Sequence, residues 1–458
     1  MPLELMPYQV EGSSIISTKS RFGLHDEMGL GKSSQVWRAV DLLIQNKIKA
    51  RPRGIIVCPA NLRENWINEH KKFSHYRLRV CKGEKLPDLH AWMRGIFDVL
   101  VISYERAAKW SARIRQEGEL IDFVAMDEAH YIKNKEAART KSILGKDSNG
   151  IGGLIEFAAH VWHVTGTPMA NDPMDIYTFL KMCRVIDTNY NQFMREYFTS
   201  ETRMFSVRTS PKEKRLGELR DLIASCSIRR TAESVKLDLP PLFATTYVVD
   251  GDTSAIKELF AAYPDMSEDI TQALEEGGLS KIYSEHIASL RRLVGEAKAY
   301  PYSQILIDEL KSGACDKKVV FGIHVRALEI VKQELEAAGI GCVLVNGTIR
   351  DPKVKQKAVD DFQSESWCRV FLGNMVSAGT GLTLTAANQL DLLEASWVPA
   401  ENEQAMKRIH RISQTRNAFV RFISLANSVD VDVMESLAEK AKSIAKVNGH
   451  ESDLSTFL

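Results

Sequence analysis

Short runs of apolar and β-branched residues recur along the chain, separated by longer segments whose apolar positions follow a helical period. Runs that are apolar at consecutive positions are typical of parallel strands buried on both faces of a sheet. They fall into two series, one in each half of the chain, which predicts two α/β lobes. The first series is RGIIVCPA, FDVLVISY, IDFVAMDEAH and HVWHVTGTP; the second is KKVVFGIHV, IGCVLVNGT, CRVFLGNM, QLDLLEAS and AFVRFISL.

The pattern changes between the two series, from about Asp172 to Tyr300. Charged segments such as KRLGELRDLIAS have the period of amphipathic helices and predict helical insertions rather than a third sheet domain. Pro240 and Pro241 in LDLPPLF would end a helix and stiffen the chain, so they are the candidate hinge between the lobes. The predicted boundaries are 1–240 for lobe 1, with an insertion at about 172–228, and 241–458 for lobe 2, with an insertion at about 251–300.

Composition narrows the classes of function. Lys and Arg (60) nearly balance Asp and Glu (59), so nucleic-acid binding would depend on local basic patches rather than on net charge. No run approaches the roughly 18 apolar residues of a membrane span, and MPLELMPYQV lacks the features of a secretory signal. The seven cysteines contain no C-x-x-C pair, which argues against a disulfide framework and a zinc site. The chain is therefore predicted to be intracellular, and cytoplasmic if its source is bacterial or viral.

The stretch HDEMGLGKSS nearly matches a phosphate-binding loop. The generic motif is G-x-x-x-x-G-K-[ST], and counting back from Lys32 places Asp26 where the first glycine should stand. RFGLH upstream is a candidate strand, so this phosphate loop, residues 26–33, would connect a strand to a helix. The apolar residues on one face of that helix are Val36, Trp37, Val40, Leu43 and Ile44.

A strand-to-helix junction suits phosphate chemically. The N–H groups and the dipole at a helix N-terminus favour an anion, and Gly29 and Gly31 allow the backbone to approach it closely. Lys32 would supply a positive charge for the β and γ phosphates, and the Ser33 hydroxyl would suit Mg²⁺. The alternative is a glycine-rich turn followed by a chance Lys-Ser.

A second feature favours the nucleotide interpretation. FVAMDEAH is an apolar strand that ends in Asp127 and Glu128, and parallel sheets bind ligands at the carboxyl ends of their strands. Phosphoryl transfer to water needs a carboxylate for Mg²⁺ and a group that positions water, which suggests Asp127 for the metal and Glu128 for the water. A solvated acidic strand end would explain an isolated Asp-Glu better, but the phosphate loop in the same lobe weighs against it.

With these residues the chain resembles a known family. DEMGLGKS followed by DEAH is similar to the ATPase motor of the SWI/SNF-type DNA translocases of helicase superfamily two, whose phosphate loop commonly has Asp in place of the first glycine. SIRRTAESVKLDLP resembles the family's R-R-T-K-x-x-V-x-x-x-L-P box, with Ala232 in place of the lysine, and Thr380 and Ser413 replace glycines of later motifs. The other similar segments are MPYQVEGSSII, CPANLRENWINE, VISYE, TGTPMAN, VLVNGTIR, SAGTGLTLTAANQL and WVPAENEQAMKRIHRISQ.

The resemblance implies an α/β fold of two RecA-like parallel-sheet lobes in tandem, with helical protrusions between them, that binds ATP and Mg²⁺. The nucleotide contacts that it implies, with Gln9 on the adenine side, are Gln9, Asp26, Met28, Gly29, Leu30, Gly31, Lys32, Ser33, Ser34 and Gly381. Residues implied to couple the nucleotide to the other motifs are His130, Thr165, Gly166, Thr167 and Gln404. Implied contacts with the DNA backbone are Asn61, Arg63, Ser103, Tyr104, Ser377, Gly379 and Thr380.

The second half of the chain contributes Arg408 and Arg411 in QAMKRIHR. Three residues apart, they would lie on one face of a helix and could both point across a cleft at a γ-phosphate. Such arginine fingers can accelerate hydrolysis by about 10³ to 10⁵. Because Lys32 belongs to the first lobe, catalysis would require closure of the lobes. Out of context, a solvated basic helix face would be the better interpretation.

Other polar groups have two interpretations each. The basic pairs 229–230 and 291–292 could extend a DNA path or lie on a solvated surface. His160 and His163 alternate on a predicted strand without a third ligand, which favours structural histidines over a metal site.

The sequence therefore predicts a monomeric, DNA-stimulated ATPase that steps along duplex DNA, with no membrane partner. One alternative is a helicase that separates or anneals strands or remodels forks, and that would bind single-stranded or forked DNA. The other is a nucleotide-gated clamp that binds DNA or a protein with little turnover. The clamp would need a defective site, whereas every charged catalytic position is present in the sequence.

Overall fold

The computed structural model describes residues 3–46, 51–202, 207–263, 270, 284–349, 351–375, 382–411 and 413–449. The chain divides into two compact units. The first comprises Met1–Phe198 and Pro211–Leu237, and the second comprises Thr199–Ser210 and Asp238–Leu458. No helix in the described part of the chain is long and apolar enough to cross a membrane. All seven cysteines are free thiols.

The first unit is an α/β structure whose described strands pair in parallel in one seven-stranded sheet. Its strands are β1 (Arg21–Leu24), β2 (Gly54–Cys58), β3 (Val80–Lys82), β4 (Val99–Ser103), β5 (Ile121–Asp127), β6 (Ala158–Val164) and β9 (Ser227–Ile228). Between β6 and β9 in the chain, β7 (Phe198–Thr202) and β8 (Val207–Pro211) form a separate two-stranded sheet, most of whose residues belong to the second unit. The strands of the seven-stranded sheet lie in the order β3-β4-β2-β5-β6-β1-β9. The helices are α1 (Pro7–Thr18), α2 (Lys32–Gln45), α3 (Arg63–Phe73), α4 (Leu86–Met93), α5 (Tyr104–Gln116), α6 (Ala138–Leu144), α7 (Tyr177–Cys183), α8 (Tyr190–Tyr197) and α9 (Leu216–Cys226).

The second unit is also an α/β structure, with a parallel six-stranded sheet in its described residues. Its strands are β10 (Leu242–Val249), β11 (Lys318–Gly322), β12 (Gly341–Val345), β13 (Cys368–Asn374), β14 (Gln389–Leu392) and β15 (Ala418–Leu425), in the order β10-β15-β14-β11-β13-β12. The helices are α10 (Ser254–Ala262), α11 (Ser284–Ser312), α12 (Val325–Ala337), α13 (Pro352–Ser364), α14 (Pro399–Met406) and α15 (Asp430–Asn448).

All nine apolar runs form parallel strands, which confirms the predicted class of two RecA-like parallel-sheet lobes in tandem. The region between the two series is mainly helical, as predicted, but it also contains strands that the prediction did not include. β9 joins the first sheet, β10 joins the second, and β7 pairs with β8. β9 is too short to produce a pattern, and β10 is largely exposed in its middle and has Ala-Thr-Thr there rather than an apolar run.

Four of the five residues predicted to share one face of α2 lie in a core cluster with residues of the first sheet, and the fifth, Ile44, is partly exposed. Val36, Trp37, Val40 and Leu43 are buried, and the indole of Trp37 donates to the carbonyl of Trp66 at 3.2 Å. This packing holds the N-terminus of α2 beside the carboxyl end of β1, where the phosphate loop begins.

The chain leaves the first unit after Leu237, shortly before Pro240 and Pro241. The hinge role of these prolines and the lobe boundaries 1–240 and 241–458 stay predictions.

Candidate active site

Two glycines shape the phosphate loop between β1 and α2. Gly29 and Gly31 have φ angles of 89° and 71°, in the left-handed region that residues with a Cβ atom rarely adopt. Gly31 immediately precedes Lys32, the first residue of α2, and has no side chain to cap the first N–H groups of the helix. These groups and the positive end of the helix dipole can therefore bind an anion.

Lys32 folds back over the loop. Its Nζ donates to the carbonyl oxygens of Asp26 and Glu27 at 2.8 and 3.2 Å. A Cβ atom at Gly166 would lie 3.2 Å from this Nζ and 2.8 Å from Cγ of Met28, so the TGTP segment after β6 comes very close to the loop. Burial lowers the pKa of Lys32, whereas nearby carboxylates act in the opposite direction.

Gln9 in α1 packs directly against the loop. Its Nε2 donates to the carbonyl of Leu30 at 3.1 Å, and its Oε1 accepts the N–H of Met6 at 2.9 Å. A Cβ atom at Gly31 would collide with Nε2 of Gln9, so the glycine is needed for this approach. Ser34 is buried, and its hydroxyl donates to the carbonyl of Gly31 at 2.7 Å. The structure thus brings these residues together, and contact of Gln9 with adenine stays a prediction.

Ser33 has a partner that no motif indicated. Its hydroxyl donates to Oε2 of Glu69 in α3 at 3.2 Å. Burial raises the pKa of Glu69, and the Ser33 hydroxyl and Lys72 partly oppose that rise. Glu69 is therefore a polar neighbour of the phosphate loop that only the tertiary structure reveals.

Asp127 and Glu128 lie at the carboxyl end of β5, as predicted. The indole Nε1 of Trp66 donates to Oδ2 of Asp127 at 2.8 Å, and the N–H of Glu128 donates to Oδ1 at 3.0 Å. Burial, with a further contribution from the Glu128 carboxylate, raises the pKa of Asp127 to about 7. Glu128 has a φ of 50°, an uncommon conformation for a residue with a side chain. A cation beside Asp127 would relieve the cost of burying its charge.

The predicted coupling residues of the first unit form one cluster. β5 and β6 pair with Asp127 opposite Val164, so the segments that follow the two strands are neighbours. Nδ1 of His130 lies 3.4 Å from Oε2 of Glu128, 3.4 Å from Oγ1 of Thr165 and 3.5 Å from Oγ1 of Thr167. His130 therefore bridges the carboxylate predicted to act on water and the TGTP segment.

The donor set fits a magnesium nucleotide. The Ser33 hydroxyl and the Asp127 carboxylate are oxygen ligands of the kind that Mg²⁺ prefers. Among the described residues, no group of three or more His, Cys, Asp or Glu side chains could hold a metal ion. A site with one carboxylate agrees with this finding, because Mg²⁺ is usually bound by one or two carboxylates together with substrate phosphates and water.

The structure corrects both interpretations of the basic pair 229–230. Arg230 is buried, and its guanidinium pairs with the carboxylate of Asp26, with 2.7 Å between Nη2 and Oδ2. Arg229 donates through Nη1 to the carbonyls of His25 and Gly166, both at 3.1 Å. The pair is thus neither a DNA path nor a solvated surface, but a support of the phosphate loop. The signal in the sequence was the RRT motif, which the resemblance alone could not connect to Asp26.

The two arginines of the basic pair 291–292 in α11 have different surroundings. The guanidinium of Arg291 stacks over the ring of Trp397 at 4.5 Å, and burial lowers its pKa. Arg292 is half exposed and pairs with Glu296 one turn later at 2.8 Å. The solvated-surface interpretation therefore suits Arg292 alone.

The helical placement of Arg408 and Arg411 is wrong. Helix α14 ends at Met406, and both arginines lie in the turns that follow, which i to i+3 backbone bonds such as Arg408 N to Ala405 O (3.0 Å) stabilise. The two guanidinium groups nevertheless bond to consecutive residues of the chain. Nη1 of Arg408 donates to the carbonyl of Leu382 at 3.5 Å, and Nη1 of Arg411 donates to Oγ1 of Thr383 at 2.8 Å. Gln404, the remaining predicted coupling residue, is buried in α14.

The predicted DNA contacts differ in accessibility. Asn61 is exposed in the turn after β2, and Arg63, at the start of α3, is partly exposed and donates to the carbonyl of Gly83 at 3.3 Å. Ser103 and Tyr104 are buried: the Ser103 hydroxyl caps α5, and the Tyr104 hydroxyl donates to the carbonyl of Asp127 at 2.8 Å. Their role in binding DNA stays a prediction, and the predicted residues Ser377, Gly379, Thr380 and Gly381 lie outside the described residues.

His160 and His163 both bond within the first unit. A ring nitrogen of His160 lies 2.9 Å from the carbonyl of Lys19, and Nδ1 of His163 lies 3.0 Å from Nε2 of His25. These contacts agree with the structural role that the sequence favoured.

The fold and this site together define a class of protein, the nucleotide-hydrolysing enzymes of the helicase superfamily. Residues 19–279 match the family described as SNF2-related domain, and residues 302–413 match the family described as helicase conserved C-terminal domain. The first match covers more than half of the chain, so the chain belongs to the SNF2-related family, whose members are DNA-dependent ATPases of the helicase superfamily. The predicted resemblance and enzyme class are thereby confirmed.

The relatives are longer proteins. The chain is 27% identical over 445 residues to a Caenorhabditis elegans SWI/SNF-related matrix-associated actin-dependent regulator of chromatin subfamily A-like protein 1 homolog, covering 95% of this chain and 60% of the relative. It is 24% identical over 469 residues to the mouse DNA annealing helicase and endonuclease ZRANB3, covering 98% and 41%. The chain thus spans about half the length of the curated relatives it matches. A Sulfolobus solfataricus SWI2/SNF2 ATPase core in complex with dsDNA is 19% identical with a TM-score of 0.45, covering 98% of this chain and 97% of that chain.

Proposed function

We propose that the protein is an ATP-driven translocase or remodeller of duplex DNA, which hydrolyses ATP and steps along the DNA backbone. The observation that best supports this proposal is the position of His130, in reach of Glu128 on one side and of Thr165 and Thr167 on the other. A motor must link the group that acts on water to a segment that can respond to the track, and we propose that this contact provides the link.

The residues suit the steps of hydrolysis. The N–H groups of the phosphate loop and Lys32 would bind the phosphates, and Glu128 would position the attacking water or accept its proton. Ser33 and Asp127 would hold Mg²⁺, which neutralises phosphate charge when it is bound. Arg408 and Arg411 of the second unit are proposed to stabilise the charge on the γ-phosphate during its transfer.

Duplex DNA is proposed as the track because of the two relatives described above, whose names refer to chromatin regulation and to DNA annealing. Asn61 and Arg63 are proposed to contact the phosphate backbone from the first unit, together with Ser377, Gly379 and Thr380 from the second. With a net charge of +1, binding would depend on such local contacts and would weaken with salt. A DNA substrate implies an intracellular location.

A second candidate is annealing or remodelling of forked DNA. The name of the mouse relative, a DNA annealing helicase and endonuclease, favours this candidate. Both candidates use the same ATPase site, and they differ in the DNA that stimulates it most.

The first experiment is steady-state ATP hydrolysis with no nucleic acid, single-stranded DNA, duplex DNA, forked DNA and duplex RNA. Glu128→Gln removes the group proposed to act on water and is expected to abolish the stimulated rate. Glu156→Gln is the matched control, because Glu156 pairs with Arg115 in α5 at 2.9 Å, outside the site described above. Strong stimulation by duplex DNA that Glu128→Gln abolishes and Glu156→Gln preserves is the expected result.

Other outcomes separate the candidates. Stimulation that is strongest with single-stranded or forked DNA would favour the second candidate, and displacement of a triplex-forming strand would test translocation on duplexes. A Glu128→Gln variant that hydrolyses ATP as fast as the wild type would contradict the proposed role of the site.

A further inference from the structure

Arg230 lies just beyond β9 and is separated by 204 residues from Asp26, the residue that stands in place of the first glycine of the phosphate loop. We propose that Arg230 is a positioning residue for nucleotide binding, which acts through the Asp26 carboxylate and holds the phosphate loop and Lys32 in their binding conformation. This inference rests on the proposed nucleotide site.

The contact between the two side chains is bidentate. Nε of Arg230 donates to Oδ1 of Asp26 at 3.0 Å, and Nη2 donates to Oδ2 at 2.7 Å. The backbone N–H of Arg230 adds a third bond, to Oδ1 at 3.1 Å. Asp26 is fully buried and Arg230 is 8% exposed, so solvent screens the pair very little. The planar guanidinium matches the carboxylate in a way that a lysine could not.

Gln35 in α2 bonds to both members of the pair. Its Nε2 donates to Oδ2 of Asp26 at 2.9 Å, and its Oε1 accepts from Nη2 of Arg230 at 2.9 Å. Asp26 and Arg230 are therefore held at a set distance from the helix that begins with Lys32.

Asp26, whose position is fixed by Arg230 and Gln35, in turn bonds to Lys32. Its carbonyl accepts the bond from Lys32 Nζ at 2.8 Å, while its carboxylate is held by Arg230. The neighbouring residue is tied in the same way: the N–H of Glu27 donates to the carbonyl of Arg230 at 2.8 Å, and Oε2 of Glu27 accepts the N–H of Ala232 at 2.7 Å. The segment around Arg230 thus runs along the loop and fixes both of its first residues.

Arg230 also reaches α1, the helix that carries Gln9. Its guanidinium lies over the ring of Tyr8 at 5.4 Å and donates to the Tyr8 carbonyl. A Cβ atom at Gly12 would collide with Nη2 of Arg230 and with Oε1 of Gln35, so the glycine makes room for the guanidinium. One side chain therefore joins α1, the phosphate loop and α2. A glycine at position 26 would offer it no side-chain acceptor.

The test is a double-mutant cycle on the full chain, read out as the dissociation constant of a fluorescent ATP analogue with Mg²⁺. Arg230→Gln and Asp26→Asn should each weaken binding by about tenfold or more, because each removes one side of the buried charge pair. The remaining carboxylate partner of Arg230, Glu11 at 3.3 Å, lies in α1 and not in the phosphate loop. The dissociation constant of the double variant should not exceed that of the single variant with the larger dissociation constant, because the two changes remove the same interaction. Arg230→Lys should bind the analogue more tightly than Arg230→Gln but more weakly than the wild type.

Arg79→Gln is the matched control. Arg79 forms a similar bidentate pair with Asp98, with Nη2 to Oδ1 at 2.7 Å and Nε to Oδ2 at 3.2 Å, at β3 and β4 on the far side of the sheet. This variant should leave the dissociation constant within about twofold of the wild type, whatever its effect on stability.

Three results would overturn the inference: a folded Arg230→Gln variant that binds the analogue as tightly as the wild type, additive effects in the cycle, or an equal loss in Arg79→Gln. If Arg230→Gln does not fold, Gly12→Ala replaces it, since the added methyl group displaces the Arg230 guanidinium and the Gln35 amide that bonds to it, without a change of charge. Gly12→Ala should weaken binding by about threefold or more, and unchanged binding would overturn the inference. A wild-type protein that binds no ATP analogue would instead contradict the proposed function.

Discussion

At the scale of single residues, a pair of buried histidines lies beside the start of the phosphate loop. Nε2 of His25 lies 3.0 Å from Nδ1 of His163, and both rings contact Phe179. Burial lowers the pKa of His163 to about 3 and that of His25 well below its usual value, and the positive charges of Arg229 and Lys32 lower the pKa of His25 further. Both histidines are therefore neutral in the folded protein at neutral pH.

This pair predicts a loss of stability in mild acid. Below pH about 6.5 the unfolded chain binds protons at both histidines while the folded protein does not, so the free energy of unfolding falls as the pH falls. For His163 the loss continues down to the folded pKa of about 3. Each histidine contributes up to about 1.4 kcal/mol per pH unit in this window.

His163→Gln should make this dependence shallower, because glutamine can still bond to His25 but does not titrate. Between pH 6.5 and 5, the free energy of unfolding of the variant should fall less steeply than that of the wild type, by about 1 kcal/mol per pH unit. Urea denaturation at a series of pH values would measure both slopes. Equal slopes would contradict the assignment of a depressed pKa to His163.

A single contact also explains why Asp26 can replace the first glycine of the generic phosphate loop. The generic loop has a glycine at this position, whereas Asp26 has a side chain that bonds to a buried arginine. The sequence could show that the residue differed. The partner of Asp26, however, is Arg230, which lies 204 residues away in the chain and is brought to it only by the fold.

At the scale of elements, a buried ionic network ties the second sheet to α11. Arg421 of β15 lies opposite Asp391 of β14 in the strand register, with 2.6 Å between Nη2 and Oδ2, and it also pairs with Glu309 of α11 at 2.5 Å. Lys318 of β11 bonds to Glu309 at 2.6 Å. Burial alone would raise the pKa of Asp391, but Lys318 and Arg421 hold it below its usual value. These partners link one helix to three strands.

Arg421→Met should destabilise the second unit by about 3–5 kcal/mol, because it leaves two carboxylates with too little positive charge beside them. The control is Arg326→Met, which removes an exposed pair with Glu329 at 3.9 Å and should cost less than about 1 kcal/mol. Urea denaturation followed by circular dichroism would compare the two variants. Equal losses would show that the network stabilises the unit no more than a surface pair does.

Some strands have a recognisable sequence pattern and others do not. Nine strands were predictable because each contains a short, mainly apolar run. β9 has two residues, and the middle of β10, residues 244–246, is Ala-Thr-Thr and partly or fully exposed, so neither strand is an apolar run. The helical spacing of Arg408 and Arg411 was misleading, because α14 ends at Met406 and turns bring both side chains to residues 382–383.

At the scale of the whole molecule, the proposed hydrolysis uses residues of both units. Each unit has its own sheet and its own buried core. Lys32, Asp127 and Glu128 belong to the first unit, whereas Arg408 and Arg411 belong to the second. Burial lowers the pKa of Arg411 to about 10, which still leaves it charged at neutral pH.

This division predicts that binding and hydrolysis can be separated by mutation. Arg408→Ala and Arg411→Ala should each lower kcat by about 10³ to 10⁵ and leave the affinity for the ATP analogue within about threefold. Steady-state hydrolysis with duplex DNA and equilibrium binding would measure the two effects. Arg416→Ala is the control, since Arg416 is exposed and bonds to the carbonyl of Ala386 at 2.7 Å. A parallel loss of binding and hydrolysis would contradict the proposed role.

The sequence by itself determined the features that are local in the chain. The apolar runs specify buried parallel strands, the spacing around Lys32 specifies a phosphate loop, and the position of Asp127 and Glu128 after such a run specifies acidic groups at a sheet edge. Each of these signals occupies a few consecutive residues, so it can be read without knowing how the chain folds.

Only the tertiary structure decided which distant groups meet. Arg230 joins Asp26, His25 joins His163 across 138 residues, and Ser33 joins Glu69. The physical reason is that a buried polar group needs a partner within about 3 Å, and the packing of helices on the sheet selects that partner from anywhere in the chain. The interpretation of Arg230 as a surface group was wrong because its charge was visible in the sequence and its burial was not.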